Sequence, residues 1–201
     1  MPLPTLIVVS GPPGSGKTTL AHEIARAVGC PAICRDEIKE GMVHANPGFT
    51  PCPGDPLTMR TLSTFFDVLR LLLSAGATVV AEAAFQDRVW RQGLEPLTGL
   101  AEVRIIQCVV DAEVAYARIT RRIEDNPVRK AHVDEGLKLA GRVERHNAFV
   151  HLSLPVPTMR VEATDGYQPG LADIVAFINK QRPAGEPRRS APTQVLRLGE
   201  S

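Results

Sequence analysis

Residues Gly11 to Thr18 read GPPGSGKT, the pattern G-x-x-x-x-G-K-[ST], and their flanks decide what the string can be. Leu6-Ile7-Val8-Val9 before it is a short continuous apolar run, suited to a strand buried on both faces. After it, Leu20, Ile24 and Val28 recur every four residues with Ala21 and Ala25 beside them, while His22, Glu23 and Arg26 fall on the other side. That spacing predicts an amphipathic helix, which Gly29 is placed to end. Strand, glycine-rich loop and helix, in that order, turn the string into a mechanism.

The mechanism is anion binding by backbone. Gly11, Gly14 and Gly16 let successive peptide N–H groups converge, because glycine reaches dihedrals that other residues avoid. Those groups, carried by Gly11 to Thr19 with Pro12, Pro13 and Ser15 completing the loop, form with the helix N-terminus a nest for the β-phosphate of a nucleotide. Lys17 adds a full charge toward the β- and γ-phosphates, the Thr18 hydroxyl suits Mg²⁺, and Thr19 can meet the α-phosphate. A glycine-rich turn with an accidental lysine is the bland alternative, and the flanking strand and helix count against it. The expected cofactors are ATP, with GTP open, and Mg²⁺.

A chain of 201 residues allows one α/β core, and with only 4% aromatic residues Leu, Val, Ile and Ala must build it. No segment approaches the ~20 consecutive apolar residues of a membrane span, so no membrane partner is expected, and no charged-then-apolar leader is expected before the loop. Cys30, Cys34, Cys52 and Cys108 lack paired metal spacing and read as small hydrophobes in a reducing cytoplasm. A net charge of +1 disfavours nucleic acid as a partner. Nothing in the sequence marks an oligomeric state.

Further along, apolar runs and helical stripes alternate. Ala32-Ile33-Cys34 ends at Arg35-Asp36, Thr78-Val79-Val80-Ala81 ends at Glu82, Val103 to Val110 ends at Asp111, and Pro157 to Val161 is a last short strand. Helices are expected over 57–75 (Leu62, Phe65, Phe66, Leu69 and Leu73 inward, Gly76 closing), 88–98, 112–124, 134–149 and 170–181, with a polar break at Asp125-Asn126-Pro127. Repeated strand–helix units imply a doubly wound, three-layer α/β sandwich with a parallel sheet. Residues 1–181 form one domain in this reading, and 182–201, rich in Pro, Arg, Gly and Ser, a disordered tail. Ligands of such a sheet collect beyond the carboxyl ends of its strands.

The GPPGSGKTT loop, Arg35-Asp36-Glu37 after strand two, AEAAF after strand three and the arginines after strand four resemble the small P-loop kinase superfamily. Within it they are most similar to the branch of chloramphenicol phosphotransferase-like, zeta-toxin-like and polynucleotide 5′-hydroxyl kinase domains, an AAA-type ATP-binding domain. The resemblance implies a five-stranded sheet of order 2-3-1-4-5, a helical lid near 118–133, and transfer of a γ-phosphoryl group to an acceptor. It implies that Asp36 orients or deprotonates the acceptor hydroxyl, although Asp36 would equally cap a helix starting at Glu37. Glu82 is expected to serve Mg²⁺ with Thr18, or else the acceptor, with a solvated strand end as the bland alternative. Arg118, Arg121, Arg122 and Arg129 are the lid arginines among which a phosphate contact is expected, with a solvated face pairing Glu124 and Asp125 as the alternative. His132 lies in the same lid, and Asp165 stands in Thr164-Asp165-Gly166, where relatives place the nucleotide base. The Pro/Gly-rich stretch 41–59 reads as an acceptor loop, with Met42, His44, Phe49, Arg60 and Trp90 as lining candidates.

The function expected is an ATP-dependent phosphotransferase acting on a hydroxyl of a small molecule. A polynucleotide 5′-hydroxyl kinase is the enzymatic alternative, and a nucleotide-binding regulatory ATPase without an acceptor the alternative of another class.

Overall fold

A run of five buried residues, Leu6 to Ser10, is buried because strand β1 (Thr5–Ser10) lies at the centre of a sheet with partners on both sides. It pairs in parallel with β3 (Val79–Ala83) and β4 (Glu102–Val109); β2 (Ala32–Cys34) lies beyond β3 and β5 (Thr158–Glu162) beyond β4. The order is β2-β3-β1-β4-β5, all parallel, as the resemblance implies. The computed structural model describes residues 2–46, 48–50, 52, 55–125 and 139–180. Arg129, Lys130, His132, the Asn126-Pro127 break and the tail after Gln181 lie outside them.

The pleat sends alternate side chains to opposite faces, and each face has its own core. Leu6 and Val8 join Val79, Ala81, Val103 and Ile105 beneath helix α3 (Pro56–Ser74) and helix α4 (Asp87–Leu94). Ile7 and Val9 join Val80, Ile106 and Val161 beneath helix α1 (Lys17–Val28) and helix α7 (Leu171–Asn179). In α3, Phe65, Leu69 and Leu73 repeat every four residues and are buried, while Leu62 and Phe66 pack at the edge of the same cluster. Burying three such side chains stabilises the layer by about 1.5–3 kcal/mol each. Helix α5 (Ala112–Asp125) follows β4, and helix α6 (Leu139–Asn147) packs against it. No helix among the described residues is long and apolar enough to cross a membrane.

Several element boundaries shift by a residue or two from the sequence reading, and two differences have a clear physical cause. Helix α2 spans Arg35–His44, so it starts at once after β2 and absorbs the first residues of the expected acceptor loop. The helix expected over 88–98 is α4 followed by a 3-10 turn at Glu95–Gly99, because Pro96 has no N–H to continue the α-helical ladder. Helix α3 is fixed at its start by Asp55, whose carboxylate accepts from the Thr58 N–H at 2.7 Å and from the Thr58 hydroxyl at 2.8 Å. The ammonium of Lys39, on α2, donates to the same carboxylate at 3.2 Å, so one buried ion pair joins the two helices.

Candidate active site

The loop between β1 and α1 is shaped by two close approaches. A Cβ on Gly14, whose φ is +80°, would stand 2.5 Å from the carbonyl oxygen of Ala115 in α5, so only glycine fits between loop and helix. Gly11 needs no unusual dihedral, contrary to the sequence argument. Its constraint is spatial, since a Cβ there would lie 2.6 Å from the Cys108 carbonyl of β4. The Ser15 N–H closes the turn on the Pro12 carbonyl at 3.2 Å, and Ser15 Oγ is buried with no hydrogen-bond partner. Helix α1 then opens at Gly16 with no side-chain cap and no acid in its first turn. Its positive end is left for an anion. Pro12 is buried, while Pro13 and Thr19 are exposed at the rim.

Beneath the loop, Lys17 Nζ lies 3.7 Å from Glu82 Oε1, and both side chains are almost out of solvent. Sheet register explains the meeting: Val9, next to the end of β1, pairs with Glu82 near the end of β3. Burial pushes the Glu82 carboxyl above its ordinary value; the Lys17 ammonium pulls it back, the Asp36 carboxylate pushes it up, and the Thr18 hydroxyl and Cys34 thiol lower it. Glu82 Oε2 is buried without a hydrogen-bond partner. An orphan carboxylate oxygen and an orphan serine hydroxyl beside an uncapped helix end fit a hard cation and a phosphate chain, since buried polar atoms are normally satisfied. Thr18 and Glu82 are the oxygen donors that would hold Mg²⁺.

Asp36 stands in the first turn of α2 rather than before it. The capping alternative therefore fails: Cys34 occupies the N-cap position, with no side-chain bond. The Arg35 guanidinium holds Asp36 Oδ1 at 2.9 Å, and Asp36 follows Cys34, the sheet partner of Glu82, by two residues.

On α5, the Arg118 fork donates to the carbonyls of Ala163 at 2.8 Å and Thr164 at 3.0 Å, so it grips the loop after β5. Arg121 is exposed and Arg122 half-buried. Asp111 is the opening cap of this helix, its carboxylate accepting from the Glu113 N–H at 2.8 Å. In the loop after β5, Asp165 is exposed, while Tyr167, which the sequence reading passed over, donates its hydroxyl to the Gly16 carbonyl at 3.0 Å. An aromatic just after an Asp-Gly turn, in a chain with so few aromatics, was the available signal.

The expected acceptor-lining residues scatter. Trp90 is core, packed edge-on against Phe85 at 4.6 Å and against Phe65 and Phe66. Met42 turns its sulfur to the Thr61 hydroxyl, His44 and Arg60 are exposed on α2 and α3, and Phe49 lies 6.0 Å from the Lys39 ammonium.

A sequence profile of the AAA domain family matches residues 6–162. A candidate kinase from Chloroflexus aurantiacus j-10-fl superposes with a TM-score of 0.77 at 22% identity, over 88% of this chain and 97% of that one. The Mycobacterium tuberculosis APS kinase CysC, solved with AMPPNP and APS, gives 0.60 at 12% identity, over 90% of this chain and all of the other. A chain of the Pnkp1/Rnl/Hen1 RNA repair complex gives 0.58 at 18%, over 73% of this chain and 43% of that one. These likenesses show the fold. An uncharacterized protein of Mycobacterium tuberculosis (strain ATCC 25618 / H37Rv) is 27% identical over 142 residues, 66% of this chain, and the match spans only 28% of that relative's length.

Proposed function

The chain belongs to the AAA domain family, and from that premise we propose that it is an ATP-dependent, Mg²⁺-requiring phosphotransferase that moves the γ-phosphoryl group to a hydroxyl of a small molecule. The observation that carries the reading is the buried Lys17–Glu82 pair at the mouth of an uncapped helix, with Asp36 two residues beyond Cys34, the sheet partner of Glu82. In this reading the loop Gly11 to Thr19 holds the triphosphate through the N–H groups of its non-proline residues, and Lys17 neutralises its β,γ end. Thr18 and Glu82 hold Mg²⁺, which when bound supplies charge for the transferring phosphate. Asp36 accepts the hydrogen bond of the acceptor hydroxyl and aligns it; positioning outweighs base strength for so loose a transition state. At least one of Arg118, Arg121, Arg122 and Arg129 supplies guanidinium charge at transfer. Asp165 borders the nucleotide base. Free cysteines, two of them buried, support a reducing, cytoplasmic setting.

Kinase folds among the neighbours support phosphoryl transfer at the coarse level. The likeness to a chain of an RNA repair complex favours a second reading, a polynucleotide 5′-hydroxyl kinase. A net charge of +1 and the scarcity of aromatic residues to stack bases weigh against it.

The test is a panel of hydroxylated metabolites and 5′-hydroxyl oligonucleotides incubated with γ-labelled ATP and read by product mass. Label on a small acceptor is expected. Label confined to oligonucleotide ends and lost as salt rises would install the second reading. Release of γ-phosphate to water alone would point to a regulatory ATPase.

A further inference from the structure

Where α1, β2 and α2 meet, three different metal-ligating side chains converge: His22 of α1, Cys34 at the end of β2 and Glu37 in the first turn of α2. Their ligand atoms all lie within 4.8 Å of one another. We propose that His22, Cys34 and Glu37 bind a borderline-soft divalent cation of the zinc class.

The geometry is close to what such an ion requires. Cys34 Sγ lies 3.7 Å from His22 Nε2. With Zn–S near 2.3 Å and Zn–N near 2.0–2.1 Å, a tetrahedral ion separates sulfur from nitrogen by ~3.5 Å. His22 Nε2 and Glu37 Oε1 stand 2.7 Å apart, sharing a hydrogen bond. The same tetrahedron asks for ~3.3 Å there. Both side chains are close to half exposed and free to open by that fraction of an ångström. Cys34 is the fixed member: its backbone pairs with Glu82 in the sheet, and its side chain is buried with Sγ aimed at the imidazole. An exposed histidine–glutamate hydrogen bond alone is commonplace on protein surfaces. The thiol beneath it supplies the third ligand and makes a concave, three-sided set.

Ligand chemistry decides the ion. Imidazole and thiolate select zinc-like cations, whereas Mg²⁺ prefers all-oxygen octahedra. As the ion enters, the thiol proton leaves to solvent. The proton held between Nε2 and Glu37 moves to Nδ1 or to solvent, freeing the Nε2 lone pair. A fourth position stays open for water.

The probe is Co²⁺, titrated into the reduced, nucleotide-free full chain in the presence of excess Mg²⁺. A thiolate-to-cobalt charge-transfer band, saturating at one equivalent and erased by Zn²⁺, is expected. Cys34→Ser should abolish the band. His22→Ala and Glu37→Gln, which alter exposed side chains and leave the core intact, should weaken binding by at least ~10–100-fold, the loss typical of removing merely a supporting partner of a ligand. Zn²⁺ should raise the melting temperature of the wild type and not that of His22→Ala. Absence of the band, its survival in Cys34→Ser, or unchanged affinity in both surface variants would overturn the site.

Discussion

The phenol of Tyr167 donates a 3.0 Å hydrogen bond to the carbonyl of Gly16, which also accepts the first helical N–H of α1 from Leu20 at 3.1 Å. The loop after β5 is thereby braced on the phosphate loop. Arg118 grips that same loop from α5, and the Asp111 N–H reaches it through the Thr164 hydroxyl at 3.1 Å. Burial pushes the Tyr167 phenol up to about 12, with the Glu23 carboxylate adding to it, so the hydroxyl remains a donor at any working pH.

Tyr167→Phe removes that brace without changing shape. One hydrogen bond contributes about 1 kcal/mol, so nucleotide affinity should fall by several-fold while circular dichroism stays that of the wild type. Titration with a fluorescent ATP analogue checks it. Wild-type affinity in the variant would mean that the loop holds its geometry without the phenol.

Glu82 gives a pH-dependent prediction whose sign follows from its environment. Burial raises its folded value above the unfolded one, so over that interval the native state binds more protons than the unfolded chain. Stability of the nucleotide-free protein therefore falls as pH rises from the ordinary carboxylate value to the raised one. Glu82→Gln should remove this slope while losing Mg²⁺-dependent turnover. Denaturant melts across pH, with no metal present, make the comparison. Parallel stability curves for the two proteins would contradict the assignment.

The centre of the sheet was legible because β1, β2 and β3 hold separate apolar runs between turn signals, and the alternation through Leu6-Ile7-Val8-Val9 serves two cores at once. The phosphate loop was legible because its function lies in backbone reach, which glycine spacing encodes directly. What escaped were relations across sequence. Asp55 joins Lys39 from 16 residues away, and Tyr167 meets Gly16 from 151 residues away, distances at which no periodicity operates. Trp90 escaped for a different reason. An aromatic near a loop reads equally as lining or as core, and only the packing of Phe65, Phe66 and Phe85 decides for core.

Asp55→Ala tests the anchor between α2 and α3. Although burial works against it, the Thr58 hydroxyl and N–H and the Lys39 ammonium hold the Asp55 carboxyl below its usual value. Its removal strips the cap of α3 and leaves Lys39 buried without its carboxylate. A loss of about 3–5 kcal/mol is expected. A depressed carboxyl contributes stability above its unfolded value, and that contribution disappears as pH falls through the folded one. The gap between variant and wild type should thus narrow in acid. A gap that is small at neutral pH would show that Lys39 finds another partner.

Asp36→Asn separates chemistry from binding. The substitution keeps size and polarity but removes the charge that accepts the acceptor's proton. It also removes a carboxylate from the first turn of α2, where the helix dipole favours one by about 0.3–1 kcal/mol. Stability should therefore drop only slightly, and nucleotide affinity should stay near wild type because the phosphate loop is untouched. Transfer to the true acceptor should fall by ~10²–10⁴, the usual contribution of a positioned acid–base group. Lys17→Ala is the contrasting variant: it should lose triphosphate affinity and transfer together. One further consequence ties Asp36 to Glu82. Since the Asp36 charge pushes the Glu82 carboxyl up, its removal should bring the stability slope assigned to Glu82 down in pH. Asp36→Asn with unchanged turnover and an unmoved slope would leave Asp36 as a surface acid paired with Arg35 and nothing more.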